Sequence, residues 1–258
     1  MLGLQTLPPV GAEAGPREIG VVWHAALQVF AEEPAEPDLE QARATLLDIA
    51  EREFAALLAD PAFRALSWPR IVQGLEKFVE FDAQRRELAK VLYFEVAGKL
   101  TMAIPGAPNF TLTARADRIE ILHSGGAAIV DYKTGTPPSD REVGVGFAPQ
   151  LTLEAAMLAR GAFDKIGRED AESLIYFKLG GADGGGKPRA LKPPAGETLV
   201  GLVERHFAGL QLLIFQFAQL ETPYLPRPFP KFTGRGSDYD HLARVKEWAA
   251  AEDEGGEG

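Results

Sequence analysis

Two acids and a lysine carry the chemistry that can be read from this 258-residue chain. Asp117 lies in Arg115-Ala116-Asp117-Arg118-Ile119, and Asp131 and Lys133 lie in Ile129-Val130-Asp131-Tyr132-Lys133-Thr134-Gly135. Both stretches read as β-strands separated by the turn composition His123-Ser124-Gly125-Gly126. Closed around that turn, the strands set Ile121 against Ala127, Ile119 against Ile129 and Asp117 against Asp131. Side chains alternate along a strand, so Asp117, Asp131 and Lys133 then share the face of Ile119, Ile121 and Ile129. A register slip of one residue would undo the coincidence. Opposed carboxylates at the end of an apolar face repel, and the fold alone has no reason to choose them. A divalent cation reverses that sign. Hard ions such as magnesium take one or two carboxylates and keep positions open for water and phosphate. Lys133 would stand beside such an ion, able to hold or activate an attacking water. The alternative is a surface salt-bridge triad at a sheet edge.

Several elements must position these residues. Residues 17–31 read as a helix with Trp23, Leu27 and Phe30 on one stripe. A second helical stretch runs from Asp38 to Leu58 with Leu46, Ile49, Ala50 and Phe54, and a third follows Trp68-Pro69 with Ile71, Leu75, Phe78 and Val79. Strands are expected at 91–103, 110–122 and 127–134, with a turn at 105–109. Pro149 and the residues after it read as a helix with proline in its first turn. Residues 173–178 read as a short strand, 180–196 as a flexible glycine-rich loop, and 197–220 as a long amphipathic helix. A Pro/aromatic segment (222–237) and a last helix (238–251) follow. The order is that of an α/β domain, a small mixed sheet flanked by helices. The expected organisation is a lead-in over 1–16, one domain over 17–248 and an acidic tail over 249–258. Within the domain, 17–90 and 197–248 are helical and 91–180 is a β-β-β-α-β core.

The net charge of −10 argues at face value against a polyanion as partner. It is unevenly spread. Ala31–Asp60 carries nine acids and two arginines, and Glu247–Gly258 carries five acids and no base; everything else sums to +2. The chain has no cysteine, which excludes iron–sulfur clusters, disulfides and Cys-ligated zinc. Gly98-Lys99-Leu100 and Gly186-Lys187-Pro188 both lack the Ser or Thr of a phosphate-binding loop, so no ATP site is expected. No apolar run approaches the roughly 18 residues of a membrane span. The start lacks a basic region followed by an apolar run, so the expectation is an intracellular protein without a membrane partner.

Asp117 followed by Asp131-Tyr132-Lys133 resembles the PD-(D/E)XK nuclease signature, with Ala116 where that motif loosely keeps a proline. Together with Thr134-Gly135 and Pro149-Gln150-Leu151, the set is similar to the RecB-like nucleases. Within them it is most similar to AddB-type nuclease domains, in their alphaproteobacterial form, over about Gly20 to Trp248. The resemblance implies a restriction-endonuclease-like core and magnesium- or manganese-dependent exonucleolytic hydrolysis of DNA in double-strand break repair. It implies Asp117, Asp131, Lys133 and Gln150 as catalytic residues. It also implies a metal bound by His24, Asp117, Asp131 and the Tyr132 carbonyl. By spacing alone His24 sits one position past Trp23, off the buried stripe, where a plain partly buried histidine is the ordinary reading. Glu95 is a further acid that could approach the metal, or an ordinary strand-edge glutamate.

The implied partners are DNA, an AddA-like helicase–nuclease subunit and the remainder of an AddB-type chain, in the bacterial cytoplasm. Candidate DNA contacts are Arg115 and Arg118 near the site, and Lys178, Lys187 and Arg189 on the glycine loop. Arg227, Lys231 and Arg235, interleaved with Phe229 and Phe232, suit stacking and tracking of a single strand. That segment reads equally as a proline-rich strap on the core. There are departures. The tyrosine that the family often keeps shortly after the glutamine is replaced by the neighbourhood of Leu153 and Glu154, and the four cluster-binding cysteines of many AddB proteins are missing. The competing reading is a catalytically silent nuclease fold that binds DNA or scaffolds a helicase–nuclease.

Overall fold

The computed structural model describes residues 15–33, 36, 38–180 and 185–223. The chain divides into two units, Ala14–Phe215 and Met1–Glu13 with Gln216–Gly258. Of the second, the described residues 216–223 end a helix and enter a turn closed by the Thr222 amide on the Gln219 carbonyl. Arg227, Lys231, Arg235 and the last expected helix lie outside the described residues.

Helix α1 (Pro16–Glu32) is followed by α2 (Leu39–Glu53), whose Asp38 cap accepts the Glu40 amide, as a capping aspartate does. The single helix expected to Leu58 breaks at Phe54, and α3 (Ala55–Leu58) and α4 (Pro61–Leu66) follow. Phe54 is fully buried among the rings of Trp23, Phe63 and Trp68, and that packing outweighs helix continuation. Helix α5 (Trp68–Leu88) leads into β1 (Ala89–Met102), β2 (Phe110–Leu122) and β3 (Ala127–Lys133). Helices α6 (Asp140–Gly144) and α7 (Gln150–Ala159) cross to β4 (Ala171–Lys178). Strand β5 (Lys187–Ala190) and helix α8 (Leu199–Phe217) complete the order. The five strands form one sheet, β1-β2-β3-β4-β5, in which only β3 and β4 run parallel.

The sheet is therefore the small mixed α/β sheet expected, and Ile121–Ala127 and Ile119–Ile129 pair as read. The region 180–196, expected as loop, contributes edge strand β5. Its backbone pairing with β4 overrides a composition rich in glycine and proline. Pro149 stands at the N-cap of α7, one position ahead of the first turn. Helices α1, α2 and α5 bury Trp23, Leu46, Phe78 and their neighbours against Val130, Tyr132, Ile175 and Phe177 on one sheet face. Helices α7 and α8 pack Leu151, Met157, Leu202 and Phe207 against Ile119, Ile129, Leu174 and Tyr176 on the other. Among the described residues no helix is long and apolar enough to cross a membrane.

One expectation fails here. Arg118, a candidate DNA contact, is completely buried beneath α5. Its guanidinium bonds Asp82 Oδ1 at 2.5 Å, reaches Glu120 Oε1 at 2.7 Å and lies over the Phe94 ring at 5.2 Å. Arg85 and Arg86 of α5 complete the network on Glu120 and Asp82. Strand alternation puts Arg118 on the face opposite Ile119, where Asp82, distant in sequence, and Glu120, two residues along the same strand, meet it. Replacing one member of such a network leaves charge buried without full compensation. Arg118→Met should therefore lower unfolding free energy by about 3 kcal/mol, read from the urea midpoint. An unchanged midpoint would contradict the structural role.

Candidate functional site

The β2–β3 ladder stops at Arg118–Val130, one pair before Asp117 and Asp131 would meet. There the Asp117 carboxylate takes over: its Oδ2 accepts the Tyr132 amide at 2.7 Å. A side chain thus replaces a ladder carbonyl, and the Tyr132 amide stays satisfied where the ladder ends.

The hairpin partner is reshaped at the same level. Phe94 pairs Arg118 and Val96 pairs Ala116, so Glu95 lies opposite Asp117. Glu95 has φ 49°, the left-handed region that costs a non-glycine residue free energy and concentrates at functional sites. Both strands turn over there. In the α7–α8 core β1 contributes Tyr93 and then Val96 and Leu100, and β2 contributes Ala114, Ala116 and then Ile119. Steps of three residues replace steps of two on both strands. The expectation that Asp117 shares the face of Ile119 and Asp131 is therefore corrected: the reversal turns Asp117 and Glu95 toward α1.

Helix α1 meets them with His24. Its Nδ1 lies 3.5 Å from Asp117 Oδ1 and 3.6 Å from Glu95 Oε1, and its ring leans on Tyr132 with centroids 6.2 Å apart. Ligand atoms of His24, Glu95 and Asp117 all lie within 4.8 Å of one another. Glu95, read from sequence as one option of two, is a full member of this trio.

Beside it, Lys133 Nζ contacts Asp131 Oδ2 at 2.8 Å and donates to Asp131 Oδ1 and Gln150 Oε1, each at 2.9 Å. The Gln150 amide nitrogen donates to Asp131 Oδ1 at 2.6 Å and to Glu154 Oε1 at 3.2 Å. Gln150 begins α7, and Glu154, one turn later, is buried on the same side. In the sequence Glu154 stands where the resemblance leads one to expect a tyrosine nearby, and only its i+4 spacing from Gln150 marks it for this corner. Tyr132 offers its backbone to this corner, while its ring is buried against Phe78 and Phe177.

The electrostatics are those of a corner short of positive charge. Burial lifts the Asp117 carboxyl to about 7, with Asp131 adding to it and His24 opposing. Burial and then Asp131 lift Glu154 to about 8. Asp131 is also raised by burial, against the pull of Lys133. His24 is raised, by its contact with Glu95 above all. Converging carboxylates and an imidazole nitrogen, penalised by burial, are a donor set that a divalent cation would relieve. The residues present fit such an ion.

The remaining candidates separate. Arg115 is exposed (67%), 3.9 Å from Glu95 Oε2. Arg189 is committed to Asp140 and the Pro138 carbonyl and lies over the Tyr176 ring, so it pins β5 to the α6 loop and is not a free DNA contact. Lys178 and Lys187 face each other as register partners at the end of β4–β5. Helix α6 went unread, although Ser139 and Glu142 spell the capping box that starts it.

A carboxyl that holds its proton more tightly folded than unfolded stabilises the fold fully below its unfolded value. For Asp117 that contribution is lost as pH rises from about 4 through about 7. Asp117→Asn should therefore raise the melting temperature in EDTA at pH 8 by about 2–4 °C, and raise it less at pH 5. It should also abolish the stabilisation of the wild type by manganese. A lower melting temperature at pH 8 would refute this reading of the corner.

A family model of the PD-(D/E)XK nuclease superfamily matches residues 1–231. An uncharacterised protein of Rickettsia bellii is 30% identical over 165 residues, 64% of this chain and 20% of that protein. Uncharacterised proteins of Rickettsia typhi and Rickettsia conorii are each 39% identical over 40% and 41% of this chain, and 12% of their own lengths. The chain thus spans a fifth or less of these relatives. The solved structure of SSO0001 covers 80% of this chain and is itself 88% covered, with 13% identity and a TM-score of 0.29, a likeness too slight to argue from. With the match running over the whole α/β core, the chain belongs to the PD-(D/E)XK nuclease superfamily.

Proposed function

We propose that this chain is a metal-dependent deoxyribonuclease domain that hydrolyses phosphodiester bonds of DNA. The observation that carries the reading is the meeting of His24, Glu95 and Asp117 beside a lysine fixed by Asp131 and Gln150. His24, Glu95 and Asp117 would hold a magnesium or manganese ion, with Asp131 and the Tyr132 carbonyl available beside them. Such an ion, when bound, polarises phosphate oxygens and lowers the pKa of coordinated water.

The chain's own residues do the rest. Asp131 and Gln150 hold the Lys133 ammonium in one place, where it steadies an attacking water or the charge growing on the phosphate. Gln150 keeps its oxygen toward Lys133 because its nitrogen is spent on Asp131 and Glu154. Glu154 stays largely protonated near neutral pH, which spares the corner another negative charge. His24 Nδ1 faces both carboxylates, which keep the imidazole turned toward the place a cation would take.

The physiological part of the proposal draws on the motif resemblance. It is exonucleolytic processing of double-strand breaks in the bacterial cytoplasm, within an AddB-type polypeptide and beside an AddA-like helicase–nuclease. The span of a fifth or less of the relatives accords with one domain of a longer protein.

The test is degradation of end-labelled linear DNA by the purified chain, alone and with a helicase partner, with magnesium, manganese or EDTA. Lys133→Ala and Asp131→Ala should each lower metal-dependent degradation by at least about 100-fold while the fold is kept. Degradation that persists in EDTA, or is equal in the variants, would refute the assignment.

A further inference from the structure

We propose that the outer face of the β1–β2 ribbon binds the DNA phosphate backbone and leads a strand to the His24–Glu95–Asp117 corner. The inference rests on the nuclease reading and adds to it a substrate path. Beyond Glu95 and Asp117 the two strands pair with each other, setting Ala97 against Arg115, Lys99 against Thr113 and Thr101 against Thr111. All six residues are exposed, whereas Val96, Leu100, Met102, Leu112, Ala114 and Ala116 pack into the core. Because both strands turn over at Glu95 and Asp117, the exposed face continues directly from those two acids.

Its chemistry is selective. From Val96 to Ala116 there is no acid, in a chain that carries 37 and a net charge of −10. The charged residues of that stretch, Lys99 and Arg115, are both basic and both on the outer face, as are its three threonines. Cations and hydroxyls in a row are phosphate-contacting groups and read no base sequence. Ala97 between them leaves room for close approach. From Glu95 to Thr101 the face runs about 20 Å, at about 3.3 Å per residue, enough for several successive phosphates.

The ribbon is also braced. The Lys99 amide bonds the Ala162 carbonyl at 2.7 Å, and the Asp164 amide bonds the Ala97 carbonyl at 3.0 Å. Those bonds occupy the strand edge at 97–99, so another strand cannot add there, and the side-chain face is what the ribbon offers. The bracing segment 162–165 carries one acid, Asp164, followed by Lys165.

The test measures fluorescence anisotropy of labelled oligonucleotides of roughly 20 nucleotides, single- and double-stranded, with the full chain in EDTA across a salt series. Lys99→Glu should weaken binding at least about fivefold, and Lys99→Gln should flatten the salt dependence by about 0.7 to 0.9 in log–log slope. Thermal melts establish that both variants fold. In parallel, metal-dependent hydrolysis of bis(p-nitrophenyl) phosphate, too small to reach along the ribbon, is compared with degradation of long DNA. In Lys99→Glu the ratio of DNA rate to small-diester rate should fall at subsaturating DNA, through a higher KM. Wild-type affinity, slope and ratio in both variants would overturn the proposal while leaving the nuclease reading intact. A wild type that neither binds DNA nor cleaves the small diester would overturn both.

Discussion

The bond between the Asp117 carboxylate and the Tyr132 amide is the constraint on which the site depends. It ends the β2–β3 ladder without stranding a donor, and so lets two strands diverge inside a packed domain. The divergence separates Asp117 from Asp131 and gives each its own partners. Asp117 joins Glu95 and His24 on the side of α1; Asp131 joins Lys133 and Gln150 on the side of α7. A ladder continued by one pair would have placed the two carboxylates directly opposite each other with neither set of partners. Glu95 extends the same logic to β1, where a left-handed backbone turns the strand over and aims an acid at His24.

The domain treats charge in opposite ways at two places. Under α5, Arg118, Arg85 and Arg86 answer Asp82 and Glu120, so each buried acid meets two guanidinium groups. At the site, Asp117, Asp131, Glu154 and Glu95 converge on one lysine and one histidine, and burial raises the proton affinity of three of them. The first arrangement fixes the register of α5 on β2. The second accepts destabilisation at a corner where a bound cation would restore the balance, the relation between stability and function that the proposed role requires.

Much of this was legible in the chain. The turn at His123-Ser124-Gly125 and the alternation of Ile119, Ile121 and Ile129 fix the register that brings β2 to β3. The motif residues point to the corner that His24, Lys133 and Gln150 occupy. What stayed hidden depends on tertiary partners or on backbone choices that no residue type announces. Nothing about Glu95 marks it for a positive φ, since neither glycine nor asparagine stands there. Arg118 resembles an exposed base until Asp82, 36 positions away, is brought against it. Strand β5 is disguised by glycine and proline and exists because β4 supplies its hydrogen bonds.

On the proposed function, the reversal at Glu95 and Asp117 builds a cation site with His24. Anomalous diffraction from crystals of the chain grown with manganese tests it most directly. One strong peak is expected within about 2.1 Å, the distance of a small octahedral cation, of His24 Nδ1 and of Glu95 and Asp117 carboxylate oxygens. Saturating manganese with no peak at this corner, the same fold being present, would contradict it.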